Sequence, residues 1–441
     1  MAYTKYSLTP SSNTAAPPDG APEGMLPSAV NDTMRDMMAQ IRDCGDGIRD
    51  GTYTMTAAKI TGGTITGITD LAIADGGTGA STAASARTNL GLDGFVNMKN
   101  RIINGAMVID QRNAGASVTL GLGTYTIDRW GGSENTNGAM TAQQNTSAPA
   151  GFVNSLKFTT TTADGSIVAG GYTTAYQAIE GYNVADLNWG SANAKTVTLS
   201  FWVRSSLTGT FGGSIVNSAT NRSYPFTYSI SVADTWEQKS VTIAGDTSGT
   251  WNTTNGVGMY IFWGLGVGST YNGTAGSWSG NYYLSATGAT SVIGTLNATF
   301  YITGVQLEVG STATSFDYRP YGTELMLCQR YYQSIAYTAN SILAVGLCTT
   351  TTNQECTIIL LQTMRSNPTI TLPSAGQTSG TISFLTSSGS YPASTGTHAV
   401  NNPSVNNFVI SGGSYSASFV QGNTTWLYPN GNVTIRASAE L

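Results

Sequence analysis

The chain has 441 residues, which is more than one hydrophobic core usually organises, so the length indicates two or three domains. Only 10% of the residues are charged and the net charge is −5, which excludes the basic surface typical of nucleic-acid binding. With a single histidine and four cysteines that lack metal-ligand spacing, zinc sites and histidine-based catalysis are nearly excluded, and we expect no metal and no cofactor.

The remaining composition favours a mainly β protein. Gly, Thr, Ser and Asn replace the missing charges, while 22 Tyr and 8 Trp keep the aromatic content at 10%. This mixture is typical of β-structure with frequent turns rather than of α/β enzymes. No run of about 20 apolar residues occurs, so we expect no membrane insertion. The first residues lack the apolar core of a signal peptide, so we expect synthesis in a cytoplasm.

Residues 1–26 contain prolines and small polar residues, and we expect them to be extended and to lie on the surface of a partner. Residues 27–50 are predicted to form a helix whose apolar positions follow a heptad spacing, which is typical of a coiled coil. We expect this stripe to gather copies of the chain; docking on the chain's own domain is the alternative. The stripe consists of Val30, Met34, Met37, Ile41, Cys44 and Ile48.

Residues 51–100 are rich in Gly, Thr and Ile and show no globular pattern. One strand of this kind has no place to bury its isoleucines, whereas several copies wound around an axis do, with glycines where the backbones approach. The segment is therefore predicted to be a thin β stalk, ending in a short collar helix.

Several segments resemble parts of bacteriophage tail fibre and receptor-binding fibre proteins. The segments APPDGAPEGMLPSAVNDTMRDMMAQIRD and IADGGTGASTAASARTNLGL look like attachment and collar elements of these fibres. Similar segments follow in KNRIINGAMVIDQRNAG, TYTIDRW, VQLEVGSTATSFDYRPYGTELMLCQRYYQ and VTIRASAEL. The resemblance implies a homotrimer that joins a phage particle to a receptor on a bacterium.

Residues 101–320 are predicted to form a β-sandwich, jelly-roll-like domain. Val197, Leu199, Phe201 and Val203 alternate with Thr198, Ser200, Trp202 and Arg204, as expected for a half-buried strand. The alternation changes phase at Gly304, which indicates a β-bulge. A Gly/Asn/Ser-rich stretch of this block is a candidate second glycan surface, formed by Trp251, Tyr271, Trp278 and Tyr282.

A connecting helix is predicted over 321–335, followed by a C-terminal β tip domain over 336–441. The tip contains few charges, and its loops are long and polar, which is typical of recognition surfaces. Aromatic anchors among amide and hydroxyl groups suit sugar binding. The candidate receptor-binding residues are Tyr391, His398, Asn401, Asn423, Trp426, Tyr428 and Asn430.

The sequence shows no residue pattern that is typical of a catalytic site. A glycosidase requires two carboxylates about 5–10 Å apart, and the acids of the sandwich are dispersed as expected for turn residues or for partners of Arg112, Arg129, Arg204 and Arg319. We therefore expect no catalytic residue and a non-enzymatic, elongated virion fibre that docks on a phage tail protein through residues 1–50. Its expected receptor is a surface glycan or outer-membrane component. The alternatives are a polysaccharide-cleaving tailspike and a head or collar fibre with a structural role only.

Overall fold

The N-terminal helix predicted over 27–50 is present, and α1 extends over Pro27–Asp50 in the computed structural model. The structure describes residues 26–50, 78, 80, 85–86, 89–90, 99–339, 341–372, 382–386, 397–413, 419–429 and 432–441. The predicted attachment segment and most of the predicted stalk lie outside these ranges. Two compact units are present, Met1–Leu90 and Gly91–Leu441. No helix of the described residues is both long and apolar enough to cross a membrane.

The apolar stripe of α1 is open to solvent in the single chain. Val30, Met34, Met37 and Ile41 are between 40% and 63% exposed. The side chains of Cys44 and Ile48, which continue the predicted seam, lie outside the described residues. The coiled coil itself stays a prediction, since only one copy of the chain is present.

The second unit begins with a sandwich of two six-stranded antiparallel sheets, as the alternating pattern predicts. The strands are β1 (Val118–Thr119), β2 (Thr124–Ile127), β3 (Trp130–Asn135), β4 (Ala139–Asn145), β5 (Ser155–Thr162), β6 (Tyr172–Glu180), β7 (Val197–Ser205), β8 (Gly209–Asn217), β9 (Ser223–Ile230), β10 (Glu237–Ile243), β11 (Val257–Val267), β12 (Asn272–Gly273), β13 (Ser285–Ala286) and β14 (Thr299–Val309). Sheet A has the order β1-β4-β5-β14-β7-β10 and sheet B the order β2-β3-β6-β11-β8-β9. The short strands β12 and β13 pair with each other in parallel.

Aromatic side chains from both sheets fill the sandwich core. Phe201 of sheet A packs edge-on against Trp263 of sheet B at 5.7 Å between ring centroids, and Phe300 lies 6.1 Å from Phe211. All four are fully buried. The predicted bulge is confirmed: the pairing of β14 with β7 shifts between Thr303 and Gln306, and Gly304 has a φ of 60°.

The rest of this unit consists of one helix and nine strands in the described residues. They are α2 (Tyr321–Gln329), β15 (Tyr332–Tyr337), β16 (Ala344–Cys348), β17 (Gln354–Ile359), β18 (Thr369–Thr371), β19 (Ile382–Thr386), β20 (Thr397–Asn401), β21 (Asn407–Gly413), β22 (Thr424–Pro429) and β23 (Val433–Ser438). The helix ends before the predicted boundary at 335, because the chain pairs with β23 from Tyr332 onward.

These strands form a three-stranded sheet, β15-β23-β18, and a six-stranded sheet, β19-β22-β16-β17-β21-β20, which we call sheet E. Their facing sides share one core that includes Ile435, Phe408 and Leu427. Sheet E is strongly curled, since the ring of Phe384 on one edge strand stacks on that of His398 on the other at 5.6 Å.

An ionic network joins the sandwich to the residues that follow α2 and to those that follow β23. Glu180 accepts two hydrogen bonds from Arg330, at 2.9 and 2.6 Å, and one from the Tyr331 hydroxyl. The Arg129 guanidinium lies 3.6 Å from the Tyr331 ring centroid and pairs with Glu440. Because Arg129 is 1% exposed, this pair requires both parts of the unit to pack together.

Candidate functional site

A cleft of about 200 Å³ lies on the outer face of sheet B, on the side away from the sandwich core. We call it the tyrosine cleft. It is lined by Gly123, Ser133, Tyr172, Thr174, Tyr176, Thr220, Tyr260, Phe262, Tyr282, Leu284 and Leu441.

Strand alternation explains why so many rings reach this face. On β6, Tyr172, Thr174 and Tyr176 point outward, while Ala175 and Ile179 enter the core. Strand β11 carries large apolar side chains on both faces. Met259, Ile261 and Trp263 enter the sandwich core, whereas Tyr260 and Phe262 point to the outer face of the sheet. Strands β6 and β11 are neighbours, with Tyr176 directly opposite Phe262, so their outward rings form one aromatic floor.

One wall of the cleft comes from the segment that carries β12 and β13. Its strand β13 lies close to the sheet, because a β-carbon on Gly212 or on Gly264 would meet the Ser285 hydroxyl oxygen at 2.4 or 2.5 Å. The two glycines therefore allow this segment to approach the backbone closely. Tyr271 and Tyr282 from the same segment then pack against each other at 5.5 Å.

The rings of the cleft are held by edge-to-face, tilted and stacked contacts with one another. Tyr172 meets Tyr271 at 5.4 Å and an interplanar angle of 89°, and Tyr176 lies 5.6 Å from Phe262. Tyr172, Tyr260 and Tyr282 remain partly exposed. Contacts of this kind fix the orientation of aromatic side chains, so the exposed surfaces are pre-organised for a ligand.

The polar side chains that line the cleft are neutral. Ser133, Thr174 and Thr220 contribute hydroxyls, and the buried Thr174 hydroxyl has no hydrogen-bond partner among the described residues. Burial raises the pKa of the Tyr260 and Tyr282 hydroxyls, so both stay protonated at neutral pH. No Asp, Glu, Lys or Arg lines the cleft.

The end of the cleft at Leu441 is fixed by the junction network. The Tyr125 hydroxyl donates to the Leu441 carbonyl oxygen at 3.0 Å. The preceding residue, Glu440, pairs with Arg112 at 2.7 Å and with Arg129. The residues that follow β23 therefore complete the cleft wall by packing against the sandwich.

A second cavity, of about 220 Å³, lies beside the start of α2 and is mostly apolar. The carboxylates of Asp317 and Glu324 line it together with Phe152, Phe316 and Tyr318. Both carboxylates have structural roles: Glu324 pairs with Arg319 at 3.2 Å, and Asp317 accepts the Asn100 backbone N–H at 3.3 Å. This cavity therefore offers no carboxylate free to serve as an acid or base.

The structure divides the four residues of the predicted second glycan surface between two places. Tyr282 lines the tyrosine cleft and Tyr271 packs on it. Trp251 and Trp278 instead pack edge-on at 5.5 Å in a separate cluster with Trp189. The Trp251 indole donates to Asp246 at 3.2 Å and that of Trp278 to the Ala244 carbonyl at 2.8 Å, as expected for packing residues.

The predicted receptor residues of the tip lie on both faces of sheet E. His398 is on β20, opposite Gly412, and stacks on the buried Phe384. Trp426 is on the outward face of β22, opposite the exposed Val345. The structure therefore does not bring His398 and Trp426 to one surface.

The other residues of that prediction are dispersed. Asn401 donates to the Ser411 hydroxyl at 2.7 Å on the outward face. Tyr428 is buried, and Asn423 precedes β22, where its carbonyl accepts the Cys348 N–H at 2.9 Å. Tyr391 and Asn430 lie outside the described residues.

Sequence reasoning missed Tyr172, Tyr176, Tyr260 and Phe262, the main rings of the cleft. The sequence feature that could have pointed to them is a strand with large apolar residues on both faces. In VGMYIFWGLGV the residues between Met259, Ile261 and Trp263 are aromatic instead of polar. A half-buried strand facing water has polar residues there.

No protein-family model matches the chain, and no curated protein matches it by sequence. Solved structures with some similarity include the enzymatically active domain of tailspike protein 4 of bacteriophage CBA120, at 14% identity and a TM-score of 0.26. That match covers 48% of this chain and 22% of the tailspike chain, so this chain spans about a fifth of its length.

Two carbohydrate-binding modules show similar scores. The family 11 module from Clostridium thermocellum, solved with a mixed-linked tetrasaccharide, is 13% identical with a TM-score of 0.24, over 45% of this chain and 98% of that chain. The xylan-binding domain of Xyn10C from Paenibacillus barcinonensis is 8% identical with a TM-score of 0.23, over 46% and 99%. TM-scores this low assign neither a fold family nor a function.

Proposed function

We propose that this chain is a bacteriophage virion fibre protein that binds a neutral glycan of the host surface in the tyrosine cleft. The observation that carries the glycan assignment is the combination of partly exposed rings with hydroxyl groups and no charged side chain. The fibre assignment is supported by the fibre-like sequence segments and by the exposed heptad stripe of α1.

The chemistry of the cleft matches a sugar ring. Saccharides stack their apolar C–H faces on aromatic rings and direct their hydroxyls toward polar groups. Tyr172, Tyr260 and Tyr282 supply such faces, and Ser133 and Thr220 supply hydroxyls near them. An acidic saccharide requires a cationic partner, which the lining residues do not include.

The proposal includes several copies of the chain per fibre. A lone helix of this length is marginal in water unless its apolar side is buried. The exposed Val30, Met34, Met37 and Ile41 would meet the same residues of other copies, with three copies as the fibre resemblance implies. Residues 1–50 would then dock on a phage tail protein. In this proposal the fibre has no catalytic role.

The test is binding of full-length protein to neutral and to acidic polysaccharides purified from the host surface. We expect binding of a neutral polysaccharide that is insensitive to salt and releases no reducing ends. Tyr172→Ala and Tyr260→Ala should each weaken it about 2- to 10-fold, since one aromatic contact contributes on the order of 0.5–1.5 kcal/mol. Tyr182→Ala, which removes an exposed ring outside the cleft, is the matched control.

Equal binding by the cleft variants and the parent would refute the cleft as the receptor site. Release of reducing ends from the polysaccharide would instead support a polysaccharide-cleaving enzyme. The virion assignment is tested separately, by locating the density that is lost from particles whose fibre lacks residues 1–50. Loss of density at the head or collar of the particle would contradict a location of the fibre on the tail.

A further inference from the structure

A third cavity, of about 210 Å³, is lined by two arginines, whereas no charged side chain lines the tyrosine cleft. Arg101 comes from the segment that enters the sandwich, and Arg319 lies just before α2. The other lining residues are uncharged and include Tyr182 and Asn183, which follow β6. Both charged side chains that line this cavity are therefore positive, and we call it the arginine cavity.

Arg101 is the cation that remains open to a ligand. Among the described residues its guanidinium donates to the Asn183 carbonyl oxygen at 3.1 Å and to Asp186 at 2.7 Å. A guanidinium carries more N–H donors than these two acceptors use. Asp186 is 46% exposed and also lies 3.8 Å from Lys195. One exposed carboxylate shared by two cations does not neutralise both, and exposed pairs of this kind are weak.

Arg319 gives the cavity a fixed wall. Its guanidinium donates to the Ile102 carbonyl oxygen at 3.1 Å and pairs with Glu324 at 3.2 Å. Glu324 lines the second cavity beside α2 and not the arginine cavity. The Arg319 side chain is only 5% exposed, so packing holds it in place. The arginine cavity thus combines one rigid guanidinium with a second one, that of Arg101, which can pair with an incoming anion.

The uncharged groups of the cavity suit a sugar ring. The Tyr182 side chain is 60% exposed, so it can stack on the apolar face of a saccharide. Asn183 is partly exposed and its amide both donates and accepts hydrogen bonds. The volume is below the roughly 300–1,000 Å³ of pockets that enclose a drug-sized ligand, so the cavity fits one sugar residue rather than a whole oligosaccharide.

We infer that the arginine cavity binds one carboxylate-bearing residue of an acidic saccharide. The carboxylate accepts charge-assisted hydrogen bonds from Arg101, and the sugar ring stacks on Tyr182. This site goes beyond the proposed neutral-glycan cleft and does not depend on it, because the two cavities share no lining residue.

The test compares oligogalacturonate with its methyl ester in titrations of the full-length protein. The two probes have the same sugar rings, and the ester lacks the negative charge. We expect the acidic form to bind at least about tenfold more tightly at low salt, because hydrogen bonds to charged groups are the stronger ones. Added salt should weaken this binding. Inorganic phosphate, the third probe, should bind more weakly than oligogalacturonate because it has no ring to stack on Tyr182.

Two variants remove the proposed contacts. Arg101→Gln should weaken binding of oligogalacturonate about tenfold or more, and Tyr182→Ala about two- to tenfold. Lys157→Gln, which removes a positive charge from β5 of sheet A, is the matched control and should leave binding unchanged. Tyr172→Ala should also leave it unchanged, which separates this site from the tyrosine cleft.

A third variant should strengthen binding, an effect that lost packing does not produce. Asp186→Asn removes the carboxylate that competes with the ligand for Arg101, so we expect oligogalacturonate to bind about two- to fivefold more tightly. Asp234→Asn, which opens a similarly exposed pair with Arg204, is the matched control and should not change binding.

Equal binding of oligogalacturonate and its methyl ester would overturn this inference, as would equal losses in Arg101→Gln and Lys157→Gln. Phosphate that binds as tightly as oligogalacturonate would show that the cavity recognises charge alone and would overturn the saccharide assignment. Each of these outcomes leaves the proposed neutral-glycan cleft intact, since that cleft is tested by the neutral polysaccharide.

Discussion

The ring of Tyr176 lies directly over Gly131, its partner on the neighbouring strand β3. A β-carbon at position 131 would lie 2.4 Å from Cζ of the tyrosine, well inside van der Waals contact. The bare glycine therefore lets the ring lie against the sheet, where it forms the floor of the tyrosine cleft.

Gly131→Ala should lift the Tyr176 ring and narrow the cleft. We expect a destabilisation of about 1–3 kcal/mol from overpacking, together with weaker glycan binding, measured by urea unfolding and by titration with the glycan. Gly165→Ala is the matched control, because a β-carbon there meets no atom within 4 Å. Unchanged binding by Gly131→Ala would show that the position of Tyr176 does not matter for the ligand.

Glu440 is expected to stabilise the junction between the sandwich and the last strand. Glu440→Gln removes the negative partner of Arg112 and of the buried Arg129. We expect a loss of about 3–5 kcal/mol in unfolding free energy, since an unpaired buried charge remains. Asp234→Asn, which breaks the exposed pair with Arg204, should cost about 0–1 kcal/mol. Similar losses in the two variants would contradict a special role for the junction.

Asp128 should make stability depend on pH between about 4 and 7. Burial raises the pKa of this carboxyl to about 6, against the lowering effect of hydrogen bonds from Gln111 and of the Arg112 charge. The pKa of Asp128 is higher in the folded protein than in the unfolded chain, so protonation of this carboxyl stabilises the fold. This stabilisation is fully present at pH values below the unfolded pKa and is lost as pH rises through about 6.

The variant Asp128→Asn isolates this effect, because it shares every other titratable side chain with the parent. Between pH 4.5 and pH 7.5 the parent should lose about 2 kcal/mol relative to the variant. Urea unfolding of both proteins at pH 4.5 and pH 7.5 measures the difference. A difference that does not change with pH would contradict a raised pKa at Asp128.

The heptad stripe of α1 should control the number of copies in the fibre. Met34→Asp places a charge in the exposed stripe, so we expect a lower mass in sedimentation experiments at micromolar concentration. Arg35→Gln, on an exposed position beside Asp32, should leave the mass unchanged. A monomeric parent protein would contradict the fibre proposal itself.

Local sequence patterns were sufficient to predict much of the fold. The heptad spacing predicted α1, and the alternation at Val197, Leu199 and Phe201 predicted β7, because both depend on neighbouring residues. The bulge at Gly304 was visible as a change of phase. In contrast, β20 lies in a part of the tip that reads as long polar loops, because its five residues give too short a pattern to recognise.

The tyrosine cleft could not be predicted from local patterns. Tyr176 and Phe262 are 86 positions apart in the sequence and meet only through the register of β6 and β11. The separation of Tyr282 from Trp278 likewise depends on how one loop folds over the sheet. For the same reason His398 and Trp426, both candidates by residue type, lie on opposite faces of sheet E.

The most direct test of the glycan assignment is a crystal structure of the full-length protein with a saccharide selected in the binding screen. We expect sugar rings stacked on Tyr172, Tyr260 or Tyr282, within hydrogen-bond reach of Ser133 or Thr220. A saccharide bound at Trp426, or in the cavity at Tyr318, with an empty tyrosine cleft would contradict it.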